Sequence, residues 1–138
     1  MINIKEKFVN KKYIKFLKEG GSLLVVKDNE IIFESKDNYL EPLIECVGKY
    51  KDLMAGAWAY DKLLGNAAAL LFVYAKVKGV YSLTGSKAGI ETLKKHDIDC
   101  VVEKTIDCVL NDQGNDLCPM ERLVSGKSPQ EFYQQVLR

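Results

Sequence analysis

The sequence predicts a three-layer α/β/α sandwich built on a mixed, mostly parallel five-stranded sheet, with extra C-terminal helices. Three patterns carry that prediction. Two β-rich runs, residues 22–27 and 30–35, flank Asp28-Asn29, residue types that tolerate the positive φ of a tight hairpin turn. From residue 53 to residue 103 the chain alternates strand, helix, strand, helix, strand, an order that implies parallel pairing through right-handed crossovers. The first of those helical stretches, residues 62–77, is apolar almost all round, as a helix buried on a sheet has to be.

Each element has its own justification. Phe8, Val9, Lys12, Tyr13, Phe16 and Leu17 recur at helical intervals, giving a first helix over residues 5–18 that Gly20-Gly21 terminates. The hairpin follows, its strands antiparallel. A polar loop with Asp37-Asn38 leads into a short helix over residues 40–47, with Pro42 in its first turn and Gly48 at its end. Residues 53–59 set small side chains (Ala55, Gly56, Ala57, Ala59) around Met54 and Trp58, which predicts a central strand covered on both faces. After the 62–77 helix, residues 79–83 read as a strand, 86–96 as a helix capped by Ser86, and 98–103 as the next strand. Residues 105–110 are β-rich enough to add an edge strand. Helices over 118–124 and 128–137 close the chain, the second opened by a capping box of Ser128 and Glu131 with Pro129 at its first position. No repeat, linker or low-complexity stretch divides the chain, so residues 1–138 read as one domain.

Composition narrows the function classes. Lysine and arginine number 20 against 19 aspartates and glutamates, a net charge of +1 that offers no field to a polyanion, so no nucleic acid partner is expected. The early lysines (Lys5, Lys7, Lys11, Lys12, Lys15, Lys18) are interrupted by Glu6 and Glu19 and by apolar residues at helical spacing, as on a solvated helix face. No apolar run reaches the roughly 20 residues of a membrane span, and the first residues lack the uncharged core of a secretory signal. A cytoplasmic location and no membrane partner are expected. Cys46, Cys100, Cys108 and Cys118 are widely spaced in a chain large enough to hold a core without disulfides, which predicts free thiols.

Two segments concentrate polar, potentially reactive side chains. One is Ala59-Tyr60-Asp61-Lys62-Leu63-Leu64-Gly65-Asn66-Ala67-Ala68-Ala69; the other is Asn111-Asp112-Gln113-Gly114-Asn115-Asp116-Leu117-Cys118-Pro119-Met120-Glu121. Each sets such groups at the start of an expected helix, where free backbone N–H groups and the helix dipole favour anions. They read as two halves of one site. Ligands of open α/β sheets bind beyond the carboxyl ends of parallel strands, where Tyr60-Asp61-Lys62 and Thr84-Gly85-Ser86 are expected.

This element order resembles the cytidine-deaminase-like fold. Within that fold, residues 59–69 and Cys118-Pro119-Met120-Glu121-Arg122-Leu123-Val124 resemble one family, the small prokaryotic proteins of the domain of unknown function DUF1893. The likeness covers residues 8–125 and leaves out the last helix. Because the family has no established activity, the resemblance implies architecture rather than chemistry. It also implies where a zinc deaminase carries its metal: a His or Cys and a Glu at one helix start, and Pro-Cys-x-x-Cys at the next. The first position falls near residues 37–41, which hold no His or Cys, and the second at residues 61–64, which hold no Cys. A metal-free protein with no cofactor is therefore expected. Glu41 stands where the proton-transfer carboxylate would be, although an acid in a first helical turn also simply complements the dipole.

At the start of the 62–77 helix, Lys62 supplies charge, the first-turn N–H groups supply donors, and Asp61 accepts a proton or an amino group. The competing reading makes Asp61 a helix N-cap and turns Lys62 to solvent. Gly65 and Asn66 suit either a ligand site or close packing with a buried hydrogen bond. Thr84 and Ser86 complete the ligand set, although Thr84-Gly85-Ser86-Lys87-Ala88-Gly89 lacks the spacing of a phosphate loop and also reads as a turn with a Ser cap. Cys118, followed by Pro119, sits where a thiol pKa falls at a helix start, against the commoner fate of an inert buried thiol. The only histidine, His96, lies at the far end of another helix and offers no base. Glu121, one turn beyond Cys118, is the remaining acid–base candidate. No Cys-x-x-Cys serves zinc, and setting Gly114 at the sixth position of a calcium loop puts Val109 first and Met120 twelfth, where acids belong.

The reading is a metal-free binder of a small polar or nucleotide-like metabolite, contacted by Asp61, Lys62, Gly65, Asn66, Thr84, Ser86 and Cys118. Two alternatives stand beside it. One is an enzyme with Lys62 or Cys118 as nucleophile and Asp61 or Glu121 as acid–base group. The other is a scaffold protein that assembles as a homodimer through a sheet edge or its terminal helices.

Overall fold

The computed structural model describes residues 10–38 and 40–136. In chain order its elements are α1 (Lys11–Lys18), β1 (Leu23–Lys27), β2 (Glu30–Ser35), α2 (Glu41–Met54), β3 (Trp58–Leu64), α3 (Asn66–Ala75), β4 (Gly79–Ser86), α4 (Lys87–Lys95), β5 (Asp99–Ile106), α5 (Pro119–Leu123) and α6 (Pro129–Val136). The hairpin turns through Asp28 and Asn29 at φ of 52° and 67°, as a type I′ turn demands. The five strands lie in the order β2-β1-β3-β4-β5. β3 is central, parallel to β4, which is parallel to β5. The sheet is mixed, as expected, but not mostly parallel: β1 pairs antiparallel with both β2 and β3, so two pairings run each way. The reason lies in the hairpin's composition. Leu23 to Val26 are apolar on both faces and take the interior position, whereas β2, with Glu30 and Glu34, is left at the edge.

Side chains alternate across the sheet and create two cores. Leu23, Val25, Ala59 and Val80 face the larger one, which α2, α3, α4 and α6 cover with residues such as Val47, Phe72, Leu93 and Phe132. Leu24, Val26, Trp58, Tyr60 and Tyr81 face the other way, against Leu17 of α1. Three layers result. Both crossovers step in the same direction across the sheet, so a single handedness puts α3 and α4 on one face. The buried Ala67, Ala68, Ala69 and Ala75 let α3 lie close beneath the strands. Among the described residues no helix is long and apolar enough to cross a membrane.

Several boundaries differ from those expected. α1 begins after Asn10, whose side chain accepts from the Lys12 N–H, and the expected turn over residues 5–9 lies outside the described residues, as does Leu137. α2 does not end at Gly48 but continues to Met54, bent at Tyr50 (φ −130°). Gly48 lies within the helix, where a Cβ would sit in ordinary contact, 3.6 Å, with the Tyr133 hydroxyl. β3 starts at Trp58 and runs through Asp61 and Lys62 to Leu64, so the buried helix is shorter than expected, from Asn66 to Ala75. Pairing with both β1 and β4 at Asp61, which lies opposite Leu23 and Ser82, and with β4 at Leu63 and Leu64, holds the strand extended and overrides the helical pattern expected from residue 62. No separate edge strand forms over residues 105–110, because Thr105 and Ile106 extend β5 while Leu110 makes an isolated bridge to Leu117. The caps hold: Ser86 Oγ accepts from the Gly89 N–H, and Ser128 and Glu131 exchange their capping-box bonds. All four cysteines are free.

Candidate functional site

The carboxyl ends of β3 and β4 share one edge of the sheet with the amino end of β1, because β1 runs antiparallel to β3. α2 and α3 both begin at that edge, and the segment after β5 returns across it. Between the two helix starts lies a cavity of about 610 Å³. Its walls come from the start of β1, the approach to α2, residues 61–63 of β3, the first turn of α3, residues 109–113 and residues 118–121. The closing segment is folded on itself. Asn111 N–H donates to the Asp116 carbonyl and Cys118 N–H to the Val109 carbonyl, and Arg122 pairs with Asp116. Both segments singled out in the sequence therefore line one cavity.

Asp61 and Lys62 stand on a strand and not at a helix start, so Asp61 is not an N-cap; that position belongs to Gly65. Asp61, half-buried, lines the cavity. Burial pushes its pKa up to about 8, against the partial relief of bonds from the Leu63 and Lys62 backbone N–H groups. It is thus largely a neutral acid near pH 7, able to donate as well as accept. The Lys62 side chain is exposed along the cavity, while its backbone N–H donates to the Ser22 carbonyl at 3.0 Å.

The expectation of free N–H donors at the helix start is corrected by Glu121. Its two carboxylate oxygens accept from the Asn66 and Ala67 backbone N–H groups, each at 2.8 Å. A carboxylate there satisfies two of the donors that a helix leaves unpaired and complements its dipole. Gly65 makes room for it: a Cβ would fall 2.9 Å from the Glu121 Cδ and Oε1 and from Val109 Cγ2. Glu121 is therefore a cap supplied from a distant element.

The remaining candidates divide. Cys118 is the N-cap residue of α5, half-buried on the cavity wall together with Gly65 and Glu121. Asn66, Thr84 and Ser86 are not among the lining residues. The Asn66 side chain accepts from the Thr92 hydroxyl of α4, the Thr84 carbonyl accepts from Ser82 Oγ at 2.7 Å, and Ser86 caps α4. His96 is exposed at the end of α4, its ring bonded to the Thr92 carbonyl. Glu41, the first residue of α2, lines the cavity, as do Ser22 and Asn38, which sequence reasoning missed. The signal for Ser22 was the hairpin itself, since an antiparallel β1 beside β3 brings its first residue to the ligand edge.

Comparison with known proteins adds a family and a fold. The family model described as domain of unknown function (DUF1893) matches residues 12–138 and so includes the closing helix. A DUF1893 family protein of known structure from Thermotoga maritima has a TM-score of 0.82 and 29% identity, covering 94% of this chain and 90% of that one. RibD from Acinetobacter baumannii has a TM-score of 0.53 at 20% identity, over 67% of this chain and 33% of its own. The dCMP deaminase of the cyanophage S-TIM5 has a TM-score of 0.51 at 12% identity, over 71% of this chain and 100% of its own. These two share the fold. No match is found among curated proteins. The zinc site of deaminases is not reproduced in the donor set: Leu40 and Glu41 open α2, and Gly65, Asn66 and Ala67 open α3, with neither His nor Cys. Among the described residues no group of three His, Cys, Asp or Glu is placed to hold a metal ion.

Proposed function

The chain belongs to the DUF1893 family, and on that premise we propose that it is a metal-free binder of a small polar metabolite, held between the starts of α2 and α3. The observation that carries this reading is one cavity lined by Asp61, Lys62, Gly65 and Cys118 at the carboxyl edge of the parallel strands. Its volume, about 610 Å³, falls within the range of small-molecule sites, and apolar walls around a few polar groups are what such sites use. Asp61, largely a neutral acid near pH 7, offers a donor and an acceptor, and Lys62 offers a charge at the margin. A nucleotide-like ligand is supported by analogy alone, through the deaminases that share the fold.

Native mass spectrometry of the freshly purified chain tests the reading. A non-covalent adduct lost on denaturation is expected, and replacing both Asp61 and Lys62 by Ala abolishes it while the circular dichroism spectrum stays the same. An adduct of undiminished occupancy in that variant would sink the proposal.

A further inference from the structure

We propose that the cavity selects a ligand presenting an amino or amidinium group on a flat apolar body, and discriminates against phosphates and carboxylates. The inference rests on the cavity being a ligand site; it reverses the charge preference that a helix start would suggest and sets aside the phosphate of a nucleotide-like ligand as a contact there. Of the two helix starts at the cavity, the first N–H groups of α3 are already filled by the protein's own Glu121, and the first turn of α2, which no side chain caps, carries the acidic Glu41. An incoming phosphate or carboxylate would have to displace a carboxylate held by two bonds of 2.8 Å, or lie beside it with like charge.

The rest of the lining points the same way. Among its described residues the acidic ones are Glu41, Asp61, Asp112 and Glu121, against Lys62 as the one basic residue. Asp61 carries the argument furthest. It is a half-buried acid on the cavity wall, and among the described residues no cation pairs with it. A cationic N–H group from a ligand would favour the ionised form of this acid and bond to it with charge assistance, whereas an anion would gain nothing from it. Around it, Leu43, Ala68, Val109 and Met120 offer apolar wall, and Leu63 and Leu110, 43% and 49% exposed, continue that surface outward. A flat ring system bearing the cationic group covers both features at once.

Benzamidine and benzoate, alike in size and opposite in charge, distinguish the possibilities when each is titrated into the ¹⁵N-labelled full chain. Benzamidine should shift the amide signals of Leu63, Ala67 and Ala68 saturably and bind at least about tenfold more tightly than benzoate, the worth of one charge-assisted hydrogen bond. Asp61→Asn and Glu41→Gln, each with its amide spectrum otherwise preserved, should lower that preference. Preferential binding of benzoate or inorganic phosphate at these residues would overturn the charge class and leave the cavity reading standing. So would a preference untouched by both substitutions. If neither probe moves the cavity signals, the cavity reading itself falls and this inference with it.

Discussion

Asp61 is a cavity residue whose protonation the fold alters. Its folded pKa of about 8 exceeds the ordinary carboxylate value near 4, because burial disfavours the charged form more than two backbone N–H groups favour it. The folded state therefore holds a proton that the unfolded state has already lost. That contribution is fully present below about pH 4, declines as the pH rises, and is gone above about pH 8. Asp61→Asn keeps the shape and removes the titration. Urea unfolding should thus show the wild type losing stability relative to this variant by at most about 1.4 kcal/mol per pH unit across that window. Taking the difference cancels Asp107, Asp116 and Glu131, which are held low by Lys87, by the Leu117 N–H and Arg122, and by Ser128. Parallel profiles would mean that Asp61 ionises freely in the folded protein. The sequence marks Asp61 as chemically interesting, but its protonation follows from burial on a strand, and that depends on neighbours far along the chain.

At the scale of elements, the junction of β3, α3 and α5 shows what local pattern misses. Residues 62–64 continue the apolar pattern of the expected helix, and only the strand pairing around them, with β4 above all, makes them the end of β3. The helix cap was equally hidden: Glu121 lies 55 residues from Asn66, so no short-range motif announces it. By contrast, the hairpin turn, the Ser86 cap and the Ser128–Glu131 box are legible because their partners are neighbours. The long-range cap is open to a double-mutant cycle. Glu121→Ala leaves two helix donors without their carboxylate and should cost about 1–3 kcal/mol. Gly65→Ala drives a Cβ into that same carboxylate and Val109 and should cost a similar amount, about 1–3 kcal/mol. The double variant should be less destabilised than the sum by about 1 kcal/mol, since removing the Glu121 side chain makes part of the room that the added methyl group needs. Strict additivity in chemical denaturation would show that Gly65 and Glu121 act separately.

For the whole molecule, the alternating strand pattern was enough to foresee the layers and the central strand, since each face of a sheet must be covered by whatever helices follow. It was not enough to integrate the last helix. The family resemblance seen in the sequence stops short of it, whereas the family model runs to residue 138 and the structure packs α6 into the main core. Phe132 is 0% exposed there, and Tyr133 stacks on Tyr74 of α3 with ring centroids 4.5 Å apart. The signal was the amphipathic spacing of Phe132, Tyr133 and Val136, and its target, the outer side of α3, is defined only once the sheet has assembled. α6 is thus a wall of the fold that contributes nothing to the cavity lining. Truncating Phe132 to Ala should cost about 3–5 kcal/mol, as for other fully buried aromatic side chains, and lower the melting temperature by roughly 10–20 °C. Because the cavity meets α3 at Ala67 and Ala68 in its first turn, whereas Tyr74 belongs to its last, the benzamidine affinity of the folded variant at low temperature should match that of the wild type. Calorimetry and probe titration on the same sample separate the two quantities. A variant that melts like the wild type would show that α6 is an appendage, and one that folds but loses the probe would show that the core and the cavity are coupled through α3.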